Sequence, residues 1–220
     1  MEPCSSALSK ISLEFLVDMG GCLTHDIRNS LATINEQAGL IDDLGFISDK
    51  NSSVDIDRMK ALSGKIIKRV ERIHALTDAI DRLAEGVMDK NDRLVLNHLL
   101  GVFVQLFSAF ALSRGVALEL TRAESIIRIK CNYFYLINFL WKCIKFATLV
   151  ADSRKRITIV IDETGEEARI VFANLDLNGD FQLLNNIGFP GKSENALIAE
   201  LGANLTVRPD LGEIIIVLYK

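Results

Sequence analysis

The sequence is short of the features that most quickly betray a function. It holds only three histidines and four cysteines in 220 residues. Cys4, Cys22, Cys131 and Cys143 are far apart and no two have Cys-x-x-Cys spacing, so reduced structural thiols are expected and a zinc site is not. Basic charge is not in excess either. Twenty-five Lys and Arg against 29 Asp and Glu give a net charge of −4, which leaves no positive field for nucleic acid or an anionic membrane. The opening MEPCSSALSK lacks the basic region and apolar core of a secretory signal. No uninterrupted apolar run approaches the roughly 20 residues that cross a bilayer. The richest, Leu94–Leu112, is broken by Asn97, His98, Gln105 and Ser108. The expectation is a cytoplasmic protein with neither nucleic acid nor membrane among its partners.

What is present is a strong helical period. Leu16, Met19, Leu23, Ile27, Leu31, Ile34, Ala38, Ile41 and Leu44 recur at steps of three and four, the spacing of an amphipathic helix. No proline interrupts this stretch after Pro3, and Gly20–Gly21 is a soft point where the helix bends or begins. Met59, Leu62, Ile66, Val70, Ile73, Leu76, Ile80, Leu83 and Val87 repeat the pattern, opposite a face rich in Lys and Arg. The intervening SDKNSSVD, residues 48–55, favours a turn and a helix N-cap. The two segments predict an antiparallel hairpin of helices about 45 Å long. One hairpin buries two apolar stripes poorly, whereas a pair forms a four-helix bundle, so a homodimer is expected.

The remainder mixes helices with strands. An apolar helix over 94–114 ends at Gly115, and Tyr133–Val150 is a second. VALEL (116–120) and IIRIK (126–130) read as strands. ITIVID (157–162) and ARIVFAN (168–174) form a hairpin turning at Gly165. A helix over Ser193–Leu201, closed by Gly202, precedes a second hairpin of NLTV (204–207) and EIIIVLY (213–219). The fold class is α+β. The polar stretch Asp89–Asp92 marks the boundary between a helical hairpin, residues 1–90, and a second domain, residues 91–220.

His25 is the residue of chemical interest. With Leu23, Ile27 and Leu31 on the seam, it lies about 200° away and faces solvent. Arg28 and Asn29, at i+3 and i+4, share its face. A patch with an imidazole, a guanidinium, a carboxamide and the adjacent Asp26 suits phosphoryl transfer. Neutral imidazole is nucleophilic near pH 7, a carboxylate can hold its other nitrogen, and Arg can steady phosphoryl oxygens. His74 and His98 have no ligand cluster around them and read as structural histidines.

The stretch LTHDIRNSLATI resembles the H-box of bacterial sensor histidine kinases, H-(E/D)-x-x-(N/T)-x-L, in the first helix of a dimerising hairpin. The resemblance implies that His25 accepts the phosphoryl group, that Asp26 assists transfer and that Asn29 is tied to dephosphorylation of the partner. The second domain departs from that family. YFYLINFLWKCIKF (133–146) is similar to the N-box helix, NLLxNAxKF, but Lys142 stands where the second Asn holds magnesium, and Cys143 where Ala follows. An ammonium has no lone pair for a metal. Around Asp176 the glycines of the D-x-G-x-G box are misplaced (Gly179 follows Asn178), and the G-x-G-L-G segment is missing. Gly188–Ser193 imitates the end of a P-loop, yet its first glycine would fall at Asn186, so a turn before a helix is the better reading.

The chain therefore resembles a histidine phosphotransferase built on a degenerate kinase scaffold, a hairpin followed by an ATPase-like α/β sandwich. The resemblance implies response-regulator receiver domains as partners, no cofactor bound by this chain, and Mg2+ held by the receiver. The partner surface is expected around Asp18, Cys22, Arg28, Asn29 and Thr33. The rival readings are a kinase or receiver phosphatase with an atypical ATP site, and a non-catalytic kinase inhibitor on the same scaffold.

Overall fold

The structure, a computed structural model, describes residues 3–48, 55–88, 93–121, 123, 125–177 and 188–220. The predicted boundary Asp89–Asp92, most of the 48–55 turn, Asn178–Gly179 and Asn186 lie outside them.

Helix α1 spans Pro3–Ser48 and α2 spans Ile56–Met88. Asp55 caps α2, its Oδ1 accepting from the Arg58 N–H at 3.0 Å. The helices lie alongside each other as an antiparallel hairpin, joined in the seam by buried Leu23, Leu62, Leu76 and Leu83. At 46 residues α1 is about 69 Å long, well beyond the expected length. It runs unbroken through Gly20–Gly21 because its first turns have something to bury. Leu8, Ile11 and Phe15 are buried against the second domain, and that burial outweighs the roughly 1 kcal/mol each helical glycine costs. Leu31, expected on the seam, is 48% exposed.

The second domain contains β1 (Arg93–Val95), α3 (Leu96–Ser113), β2 (Ala117–Thr121), β3 (Arg128–Lys130), α4 (Tyr133–Leu149), β4 (Arg156–Thr164), β5 (Glu167–Ala173), α5 (Lys192–Leu201), β6 (Asn204–Arg208) and β7 (Glu213–Tyr219). Five strands form a sheet in the order β2-β4-β5-β7-β6, antiparallel except for the parallel β2–β4 pair. Alternate residues supply its buried face: Ile157, Ile159 and Ile161; Ile170 and Phe172; Ile214, Ile216 and Leu218. Helices α3 and α4 complete the core, making the fold an α+β sandwich beside a helical hairpin.

Two predicted boundaries shift. Residues 93–95 are not helical but pair antiparallel with β3, outside the main sheet, and the predicted strand 126–130 shortens to 128–130. Asn97 secures this ribbon, its Oδ1 accepting from the Ile127 N–H at 3.0 Å. Helix α3 is long and apolar enough by composition to cross a membrane. Here Leu99, Leu100, Phe103 and Phe107 are fully buried in the domain core.

Candidate functional site

His25 stands exposed at a cleft of about 450 Å³ that three helices enclose. Helix α1 contributes Gly21, Cys22, His25, Asp26 and Asn29; α2 contributes Arg69; the end of α3 contributes Ala109, Phe110, Leu112 and Ser113. The i, i+4 spacing puts Asn29 one turn below His25, and its amide nitrogen lies 3.1 Å from the ring Nδ1. With the amide in that orientation it donates to Nδ1, and the ring proton sits on Nε2. With the amide turned, its oxygen accepts from Nδ1–H and the Nε2 lone pair is free for a nucleophilic role. Thr33 stands one turn further on, its hydroxyl donating to the Asn29 carbonyl at 3.0 Å.

Asp26 lines the same cleft, but its carboxylate is engaged by α2. Its Oδ2 accepts from Arg72 Nη2 at 2.7 Å and Nε at 3.1 Å, and only 14% of its side chain is exposed. Arg72 also donates to the Gln105 carbonyl at 3.4 Å, so one guanidinium ties α1, α2 and α3 together beside the cleft. The guanidinium assigned to the site changes as well. Arg28 is exposed but outside the cleft lining, where Arg69 of α2 takes the cationic position. Cys22 lines the cleft half-buried; burial, with Asp18 nearby, pushes its thiol up and away from reactivity.

Asp18, expected on the partner surface, faces the second domain. Its Oδ2 accepts from Lys145 Nζ at 2.7 Å and from the Trp141 indole N–H at 3.4 Å. Partial burial works to raise its carboxyl, but Lys145, Trp141 and Lys142 outweigh that and hold it below its ordinary value. Trp141 packs on Phe107 and Phe110, with centroids 4.6 Å and 4.5 Å apart, and so connects Asp18 to the cleft wall.

The resemblance to an N-box raises the question of whether α4 is fit to hold magnesium and nucleotide. Asn138, Lys142 and Lys145 share one face of α4, and α1 covers it. Fully buried Asn138 donates to the Ile11 carbonyl at 3.5 Å. Lys142 lies 3.9 Å from Glu14, and Lys145 pairs with Asp18. The Asn138 amide nitrogen and both ammonium groups turn to α1, the Asn138 Oδ1 is buried with no hydrogen-bond partner among the described residues, and Lys142 brings a positive charge where a cation would sit. The residues do not fit a metal–nucleotide complex. The P-loop-like stretch also resolves as a turn: the Gly191 N–H donates to Glu194 Oε2 at 2.9 Å and α5 begins at Lys192.

His74 and His98, expected as structural histidines, are both exposed. His98 lines a second cleft of about 910 Å³ with Arg82, Arg93 and Tyr133. Among the described residues, no group of three or more His, Cys, Asp or Glu side chains is arranged to hold a metal.

Arg69, Arg72 and the end of α3 were missed in sequence because their roles depend on the hairpin register. Asp26 and Arg72 are 46 residues apart and meet only because α2 folds back along α1, in a register that the length of the turn alone does not set.

No family model matches this chain, and no curated protein does. It is similar to several solved structures. One is described as a bacterial phosphotransferase, with 13% identity over 93% of this chain and 95% of the other and a TM-score of 0.47. Another is the Acinetobacter baumannii histidine kinase AdeS, with 13% identity over 89% and 97% and a TM-score of 0.43. A third is the Erythrobacter litoralis blue-light activated histidine kinase EL346, with 16% identity over 92% of this chain but 62% of that longer one, and a TM-score of 0.48.

Proposed function

We propose that this protein is a dimeric, cytoplasmic histidine phosphotransferase of a two-component phosphorelay. His25 takes a phosphoryl group from the aspartate of one receiver domain and passes it to another. The observation that carries this reading is an exposed imidazole at an open cleft, one hydrogen bond from Asn29, within an H-box sequence. The free ring nitrogen attacks the phosphorus of the aspartyl phosphate. The P–O bond to the receiver's carboxylate breaks and that carboxylate leaves with the electron pair. The proton on the other ring nitrogen is held by the Asn29 oxygen or lost to solvent. Transfer to the second receiver reverses these steps, with magnesium held by the receiver in each case.

Two further observations support the reading. The α4 face that a kinase would devote to magnesium is engaged with α1, which disfavours an ATP-dependent role. The hairpin exposes Leu31, Ile56, Ile67 and Val70, an apolar surface suited to a second hairpin in a four-helix bundle.

The test is phosphotransfer from a panel of phosphorylated receivers. Wild type should acquire label from at least one and His25→Gln from none. Equal labelling of the His25→Gln protein would end this assignment. Saturable heat on titration with magnesium-ATP would favour a kinase instead. Unchanged partner binding with no phosphotransfer by wild type would favour a non-catalytic inhibitor.

A further inference from the structure

One wall of the His25 cleft comes from outside the hairpin, and the second domain supplies it. We propose that the end of α3, Ala109–Ser113, is the second half of the surface that seats a receiver domain on His25, with Leu112 and Ser113 as specificity-determining contacts. This inference rests on the phosphotransfer reading of His25.

Five observations converge on it. Phe110, Leu112 and Ser113 line the same cleft as the imidazole, so anything that reaches His25 through the cleft meets them. Leu112 is 69% exposed, although its helix neighbours Phe107 and Ala111 are fully buried. On the opposite wall, Gly21 lies one turn above His25, and Val17 and Leu13 continue the row with 66% and 63% exposure. Apolar surface thus flanks the nucleophile on two helices, as a protein partner requires and a small phosphorylated ligand does not.

The wall is also fixed in place. Trp141 packs on Phe107 and Phe110 and donates to Asp18 two turns above His25. Arg72 donates to Asp26 on one side and to the Gln105 carbonyl of α3 on the other. The nucleophile's helix and the wall are therefore held together before any partner arrives, which lowers the ordering cost of binding. Charge fits the same occupant. Arg72 matches the Asp26 carboxylate, and Arg69 lines the cleft where an incoming phosphoaspartate would bring negative charge.

Two surface variants in the full-length chain, Leu112→Glu and Ser113→Arg, test the proposal with two phosphoryl donors. Phosphoramidate is small enough to phosphorylate His25 without docking, and a phosphorylated receiver is not. Against phosphoramidate both variants should lose far less than against the receiver, because the imidazole is untouched and this donor needs no docking surface. Against the receiver, KM should rise about tenfold or more with kcat little changed, the signature of lost docking contacts. Unchanged kinetics with both donors would overturn the proposal. So would equal losses with both, since that pattern reports a damaged fold, or a changed solution mass, which would make this face a contact between copies of the chain. If wild type takes no label from any receiver, the reading of His25 itself fails. That outcome is visible before either variant is made, and it removes this inference too.

Discussion

On α1, the row Gly21, His25 and Asn29 opens onto a cleft; on α4, the row Asn138, Lys142 and Lys145 is closed by the upper part of the same α1 helix. Both rows resemble parts of one phosphoryl-transfer scaffold, and both place polar groups one helical turn apart. They differ in what covers them. Over α4 lies the start of α1 with Leu8, Ile11 and Phe15, and the three side-chain nitrogens beneath face a carbonyl, a glutamate and an aspartate of α1. His25 is exposed at the cleft. Polar groups on the covered face serve as internal ties, whereas those on the open face remain available for chemistry.

Trp141 is where the comparison is most easily broken. Its ring is 1% exposed, packs on two phenylalanines of α3 and donates to Asp18. Trp141→Ala should cost about 3–5 kcal/mol of stability, since the cavity falls where α1, α3 and α4 meet. Chemical denaturation measures the loss. Amide exchange should show faster opening both in α1 over residues 8–18 and at the end of α3. A loss confined to α4 would mean that the two rows are independent.

The sequence made one side of this comparison legible and left the other obscure. Periods of three and four marked the hairpin, and the same geometry put His25 opposite Leu23. The alternating run ITIVID and the unbroken apolar run within EIIIVLY mark β4 and β7, whose bounds fall within two residues of those runs. Periodicity announces that a stripe is buried without saying against what. Leu8, Ile11 and Phe15 continue the α1 spacing, yet they pack on the second domain instead of α2. The spacing therefore leaves Asp18 on an open face and carries no sign of Lys145, 127 residues away, which engages it. Asp26 had an acid's expected place beside the imidazole. Its actual partner, Arg72, is 46 residues away in sequence and near it only because the hairpin folds back.

Asp18 sharpens the comparison through pH. Lys145 and Trp141 hold its carboxyl below the ordinary 3.8, so its contribution is complete above that value and disappears as pH falls through the lowered one. Its side chain is 40% exposed and that of Lys145 41%, so the contribution is that of a partly solvated pair. Asp18→Asn should therefore be slightly less stable than wild type at neutral pH, and the two proteins should converge as pH drops below about 3.8. Thermal melts at a series of pH values follow this convergence. A gap that persists in acid would assign the effect to packing or to hydrogen bonds that Asn fails to reproduce, instead of charge.

The smallest expected effect is the most discriminating. Lys142→Asn restores the residue type that the resembling kinases use for magnesium. If that ligand were all that a nucleotide site on α4 lacked, the substitution would create magnesium-ATP binding. The covered face predicts otherwise. Asn138 still points to the Ile11 carbonyl, Lys145 remains with Asp18, and Leu8, Ile11 and Phe15 still lie across α4. The substitution removes the 3.9 Å pair with Glu14, whose side chain is half exposed, and a positive charge near Asp18. Stability should change by no more than about 1 kcal/mol, as for a partly solvated ion pair. Titration with magnesium-ATP should give no saturable heat. Saturable binding would mean that α1 lifts from α4 readily and that the covered face is a closed lid over a site one residue short of function; its absence would mean that the covering helix, beyond the lost ligand, has removed α4 from nucleotide chemistry.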